Sequence, residues 1–412
     1  MKLNHKTTLF IHLALANSFL FAGGVSTANQ TNYTPLEQTD PNYGWESASE
    51  FYNDIPYSEQ DEIDYPGMIN MSRDGETIYQ FTNCGQTGRY GPGQSQANST
   101  YSGTSLDGLV TVTDGIQYWT VPSTGTYTLE VWGAQGGAGA GQNSTDGGEG
   151  AKMQADFNLN SGTVLKIMVG QQPSSISSGG GGGTFVVLSN NTALIIAGGG
   201  GGGPGNCCGS QVSGVNGTTS NSGTAGTGGG CTNGSGGSGG NGGSASGSYP
   251  AGAGGGLSTN GASGSSGGSG GGSFLNGGQG GSGKTTAAGD GGFGGGGGAG
   301  HVGSWTGGSG GGGGGYSGGG GSCGSSNWGS GGGGGSYSSS STNTSNSSGV
   351  REEHGLVVIT SAAPSNTAPT ATAQSVTGNE DSPQTITLAG SDDEGDALTY
   401  ALVLGPSHAS LS

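Results

Sequence analysis

Between Ala197 and about Ser340 roughly half of the residues are glycine, in runs such as the GGGGGG of Gly198–Gly203. Such a segment has too few side chains to fold around a core of its own. Glycine weakens helix and strand interiors alike, and the absence of a strict G-X-Y period excludes collagen. Two outcomes remain. One is a flexible linker. The other is a stack of extended, threefold helices of the polyproline-II type, which have no internal hydrogen bonds and must bond to their neighbours. Two features favour order. The segment carries Phe274, Phe293, Trp305, Tyr316, Trp328 and Tyr337, together with Cys207, Cys208, Cys231 and Cys323. It is also flanked by strands that belong to one sandwich, so its ends must come together. Ordering glycine is entropically expensive, so hydrogen bonds between helices, aromatic plugs and disulfides must offset that cost.

The flanks read as strands. In TYTLEVW, Tyr127, Leu129 and Val131 alternate with polar neighbours, the period of a half-buried strand. AKMQADFNL, TVLKIMVGQQ, TFVVLS and ALIIAGG follow, and LVVI at Leu356–Ile359 lies beyond the glycine segment. Short strands, turn residues and no helix start signals predict an all-β chain built on a β-sandwich, with no helix. Only 29% of the 412 residues are hydrophobic and 8% charged, against roughly 45–50% apolar and about 25% charged in ordinary domains. One apolar core cannot run through the whole chain.

Residues 1–28 have the three parts of a secretory signal: Lys2 and Lys6, the apolar TLFIHLALANSFLFA, and small residues ending at Ala28. The chain is expected to be exported. Residues 29–80 are acidic and tyrosine-rich and read as a solvated, disordered leader. The net charge of −18, with eight Lys and Arg, disfavours nucleic acid and anionic membrane as partners and favours cations. Export permits disulfides. The five cysteines leave an odd one out, and a bridge is expected between Cys207 or Cys208 and Cys231 or Cys323.

Gly278–Thr285 (GQGGSGKT) satisfies the phosphate-loop pattern G-x-x-x-x-G-K-[ST]. A working loop needs a strand before it and a helix after it. SGGGSFLN and TTAAGDGGFGG supply neither. In sequence this rich in glycine, the pattern arises beside a Lys-Thr by chance about one time in four. No nucleotide cofactor is expected. The five histidines (His5, His12, His301, His354, His408) are scattered, no catalytic triad can be drawn, and His354 reads as a solvated strand end. Asn98, Asn143 and Asn190 open N-x-[ST] sequons, which matter only where the host glycosylates.

In order, FTNCGQTGRYGPGQSQANSTY, GIQYWTVPSTGTYTLEVWGAQGG, VLKIMVGQQ, GGGGGTFVV…ALIIAGGGGGG and EEHGLVVIT resemble the glycine-rich extracellular domain of the anaplastic lymphoma kinase and leukocyte tyrosine kinase receptors. The resemblance covers residues 81–361. It implies a jelly-roll-type sandwich with an inserted slab of polyglycine-II helices at 197–340, and a domain that helps to bind a small helical cytokine. The family has a second cysteine where this chain has Ala97, which makes Cys84 the odd thiol. No H-R-D, D-F-G or V-A-I-K kinase motif accompanies the resemblance.

A Ser/Thr/Ala/Pro linker at 362–373 leads into residues 374–412. These resemble the cadherin-like tandem repeats of large bacterial surface proteins, through Asn379-Glu380-Asp381-Ser382-Pro383 and Asp393-Glu394-Gly395-Asp396-Ala397-Leu398-Thr399-Tyr400. Such a repeat runs to roughly a hundred residues, so the sequence is expected to continue past Ser412, with membrane or cell-envelope attachment in the part that follows. Asp392, Asp393, Glu394 and Asp396 alone fit a solvated acidic turn as well as a cation site; the repeat resemblance favours calcium, which takes 6–8 oxygen ligands. The functional expectation is a secreted or cell-surface adhesion or recognition protein without enzymatic activity, binding a protein or glycan ligand. The alternative is the ectodomain of a receptor tyrosine kinase-like protein.

Overall fold

In a computed structural model of the protein, the described residues are 76–139, 145–174, 178–205, 212–265, 267–285, 288–300, 308–324, 328–362, 369–372, 385, 387–392 and 398. All of them fall within the unit Pro66–Ser412. The proposed signal and most of the acidic leader lie outside these residues.

Two antiparallel sheets pack face to face. The front sheet joins β1 (Ile78–Phe81), β13 (Leu356–Ser361), β4 (Gly125–Trp132), β5 (Gly150–Leu159) and β12 (Ser347–Arg351), in that order. The back sheet joins β11 (Tyr337–Ser338), β8 (Ala193–Ala197), β7 (Thr184–Leu188), β6 (Val164–Met168), β3 (Ile116–Thr120) and β2 (Val110–Thr113). Neither sheet closes into a barrel. The alternation in β4 works as expected: Tyr127, Leu129 and Val131 point inward and are buried. They meet Trp119, Leu165, Ile167, Val357 and Ile359 in one core. Trp119 sits at its centre, edge-on to Phe81 and Tyr127. Each large side chain buried there contributes about 1.5–3 kcal/mol.

The pairing of β1 with β13 and of β13 with β4 shows why the glycine segment must fold back. β13 completes the front sheet only if its chain returns from the end of β8. β1 begins at Ile78, so the leader boundary at 80 is corrected: its last residues are already in the sheet.

The absence of a helix is corrected too. Helix α1 spans Gln94–Tyr101. Its sequence, QSQANSTY, lacks an apolar stripe, and tertiary contacts hold it. The Gln96 side chain accepts the Gly93 N–H, and Ala97 and Tyr101 are buried against the core.

Successive residues of the glycine segment bond to different neighbouring rods, and a given rod is met again at every third residue. Gly199 and Gly202 donate to Gly314 and Gly311. Gly200 and Gly203 donate to Ala134 and Gly137, and Gly201 to Val215. Their carbonyls accept from Gly334 and Gly331, from Ala151 and Gly148 (at Gly198 and Gly201), and from Gly181. The rod at 198–203 thus has bonded neighbours all around it, and the segments at 134–137, 148–151, 311–314 and 331–334 each bond to it with a period of three, as in a threefold helix. None of these glycines has positive φ. A Cβ on Gly200 or Gly201 would lie closer than 3.0 Å to the carbonyls of Gly148 or Gly331.

The array is wider than the segment 197–340. β4 runs on into 133–139, 145–149 feeds β5, and 178–183 feeds β7; all bond to the glycine rods. The array also covers the outer face of the back sheet. Phe274, Phe293, Tyr316 and Tyr337 pack there against Met168, Phe185, Val187 and Ile196 in a second core, with Phe185 and Phe274 ring centroids 5.3 Å apart. Small ribbons complete the architecture. β9 (Thr227–Gly228) pairs with β10 (Gly329–Ser330). β14 (Thr370–Ala371) pairs with β15 (Gly390–Ser391), so part of the expected linker at 362–373 is strand.

Candidate functional site

Where the sandwich meets the glycine rods, a groove of about 700 Å³ opens. Three short backbone devices build it. The first is the segment Tyr90–Gly93 ahead of α1. The second is the β2–β3 turn, where Asp114 and Gly115 both have positive φ (52° and 81°), as a two-residue hairpin of the primed type requires. The third is the 3-10 turn Phe274–Asn276, where the Ser273 hydroxyl accepts the Asn276 N–H at 3.2 Å. Gly91 and Gly115 cross so closely that a Cβ on either would strike the other's backbone and the Phe293 ring. Phe293, buried, forms the floor.

The rim is polar and aromatic. Tyr90 is 54% exposed, and the Arg89 guanidinium lies 5.5 Å from its ring centroid. Arg89 is itself fixed, its Nε donating to the Gly280 carbonyl at 2.8 Å. Asp114, Leu275, Asn276 and Gln279 complete the rim. Asn276 Nδ2 donates to Asn260 Oδ1 at 2.8 Å, which orients that side chain.

A smaller cleft of about 300 Å³ lies beside Gln135, Asp146, Gln172 and Pro173. Next to it His354 corrects the expectation of a solvated strand end. Its Nδ1 accepts the Gln172 backbone N–H at 3.0 Å. Burial holds its pKa below the ordinary histidine value, against the opposing pull of Glu353. Gln172 Nε2 in turn donates to Gln135 Oε1 and to the Glu352 carbonyl.

Cys231 and Cys323 are bonded to each other, with Cα atoms 6.2 Å apart. The expected bridge from Cys207 or Cys208 to one of them is therefore corrected; Cys207 and Cys208 lie outside the described residues. Cys84 is a free, buried thiol. Its Sγ donates to Tyr101 Oη at 3.4 Å, and Tyr101 donates to Gln117 Oε1 at 2.6 Å. Burial pushes both the Cys84 thiol and the Tyr101 hydroxyl upward in pKa. Around Lys284, the amides of a phosphate-loop match are engaged within the protein: Gly280 on Arg89, Gly281 on Gly296, Lys284 on Ala299, and Gly283 on the Asp290 carboxylate. Of the candidate calcium ligands, Asp392 follows β15, while Asp393, Glu394 and Asp396 lie outside the described residues. Among the described residues no cluster of three His, Cys, Asp or Glu gathers, and no helix is long and apolar enough to cross a membrane. Among the described residues the one α-helix has eight residues, and the β architecture is unlike that of a kinase.

The groove was not foreseen from sequence. The Asp114-Gly115 dipeptide is a local hairpin signal that could have marked one of its walls, but nothing local joins it to Leu275, which lies in the glycine segment.

No family model matches the chain. Over 97 residues it is 42% identical to the leukocyte tyrosine kinase receptor of Mus musculus, a stretch that makes up 22% of this chain and 11% of the receptor. The likeness is to a receptor ectodomain region. The chain thus spans about a tenth of the curated relative it matches.

Proposed function

We propose that residues 76–361 form an extracellular recognition domain of the receptor tyrosine kinase ectodomain type, which binds a ligand and catalyses no reaction. The 42% identity to the mouse receptor carries this reading. The cleavable-signal pattern of residues 1–28 and the Cys231–Cys323 disulfide support an exported location. On the same reading the sandwich is of the jelly-roll type and the glycine rods are polyglycine-II helices. Their role is to lock the two sheets and the groove into one rigid presenting surface. The motifs at Asn379–Pro383 and Asp393–Tyr400 favour a second reading, an adhesin with calcium-stiffened repeats, in which the same domain would sit at the tip of a longer surface protein.

Two measurements test the proposal. A phosphatase reporter fused after Ser361 should be active only outside the cytoplasm. The labelled protein should bind cells of its source organism saturably, with competition by unlabelled protein. Cytoplasmic retention, or binding that does not saturate, would overturn the reading.

A further inference from the structure

We infer that the seam groove is a binding site for a neutral oligosaccharide; the inference rests on the recognition reading above and names its ligand class. A sugar ring offers two kinds of surface, C–H faces and a rim of hydroxyls. The groove meets both. Tyr90 stands 54% exposed, with the guanidinium of the anchored Arg89 5.5 Å from its ring centroid, so the groove presents an amphipathic aromatic surface at its rim. Around it lie flat groups that can donate or accept: the Asp114 carboxylate, the Gln279 amide and the Tyr90 hydroxyl, none of which is hydrogen-bonded to the described residues. Asn276 spends one Nδ2 bond on Asn260 and keeps its carbonyl for a ligand.

Other ligand classes fit less well. Anionic groups such as phosphate or sulfate call for clustered, uncommitted Arg and Lys. Here the one guanidinium is bonded to Gly280 and lies over the Tyr90 ring, with the Asp114 carboxylate on the same groove. An amphipathic helix needs apolar anchors at i, i+3 or i+4, and i+7. The rim offers Leu275 and the half-buried Val112. The walls are preorganised by the Asp114-Gly115 turn, the Gly91–Gly115 crossing and the capped 3-10 turn, which limits the entropy lost on binding.

The test is affinity electrophoresis of the full chain in native gels containing laminarin, xylan, glucomannan or hydroxyethylcellulose, with heparin as the charged comparison. At least one neutral polysaccharide should retard the protein. Tyr90→Ala should weaken that retardation about tenfold or more, consistent with losing an aromatic anchor. Asp114→Gly, which keeps the turn, should weaken it several-fold, and Tyr249→Ala, an exposed tyrosine outside the groove, should not. Circular dichroism of each variant confirms the fold. Failure of every neutral gel to retard the protein, retardation by heparin alone, or retardation that survives both groove substitutions would overturn the inference. Cell binding separates the two readings. If it survives periodate oxidation of the cell-surface glycans, the recognition reading stands and the oligosaccharide inference falls. If the protein binds polysaccharide but no cell, the groove stands and the receptor-type reading falls.

Discussion

Gln94 takes the place of a missing strand beside Val112: its Oε1 accepts the Val112 N–H at 2.7 Å, while its Nε2 donates to the Val110 carbonyl at 2.9 Å. β2 is the edge of the back sheet, and an unpaired edge invites pairing with another chain. Gln94→Ala should remove both bonds, at about 0.5–1.5 kcal/mol each. Chemical denaturation should show a lower midpoint, and sedimentation should show self-association at high concentration. An unchanged midpoint with a strictly monomeric protein would refute the strand-substitute role.

The rod at Gly198–Gly203 leaves no room for side chains. Gly200→Val and Gly201→Val each place a Cβ against neighbouring carbonyls and part several rods at once. At about 0.5–1.5 kcal/mol per hydrogen bond lost, each should remove a large share of the stability or abolish folding. Gly125→Val is the contrast: that position is exposed, at the start of β4, with open space around its would-be Cβ, and should be tolerated. Equal denaturation midpoints for all three variants would mean that the rods do not hold the sandwich.

The Cys231–Cys323 bridge spans 92 residues of sequence. Closing so long a loop restricts the unfolded chain, and its removal should cost about 2–4 kcal/mol. The double variant Cys231→Ala/Cys323→Ala measures this without leaving a lone thiol. Non-reducing peptide mapping of the wild type should recover the 231–323 pair, and a map joining Cys207 or Cys208 to either residue would contradict the structure.

His354 predicts a pH dependence. Its imidazole must stay unprotonated at Nδ1 to accept the Gln172 N–H, and burial lowers its pKa in the fold. The unfolded chain takes up the proton first as pH falls below about 6.5. The stabilisation is therefore complete above that value and is lost as pH drops through the lower folded-state pKa. Wild type should lose more of its denaturation midpoint between neutral and mildly acidic pH than His354→Gln does. Parallel pH profiles for the two proteins would show that this histidine is not a linkage site.

Much of the sandwich was legible because its signals are local. Period-two alternation placed β4, and the Val/Ile-rich runs placed β6, β7, β8 and β13. The aromatic residues and cysteines inside the glycine segment argued for order there. Helix α1 escaped detection because QSQANSTY has no apolar stripe. It is stabilised by what Tyr101 and Gln94 reach across the fold, and those partners are distant in sequence.

The sequence by itself determined that this chain is β-built, that it carries an export pattern, and that its glycine segment must return to the sandwich it leaves. Tertiary structure alone decided which rods touch, how far the array extends into 133–139, 145–149 and 178–183, which cysteines pair, and that Tyr90, Asp114 and Leu275 share a groove. The reason is physical. A glycine run has no side chains to encode register, so its neighbours are chosen by backbone carbonyls and amides that meet only once the sheets and the aromatic plugs have fixed where each rod begins.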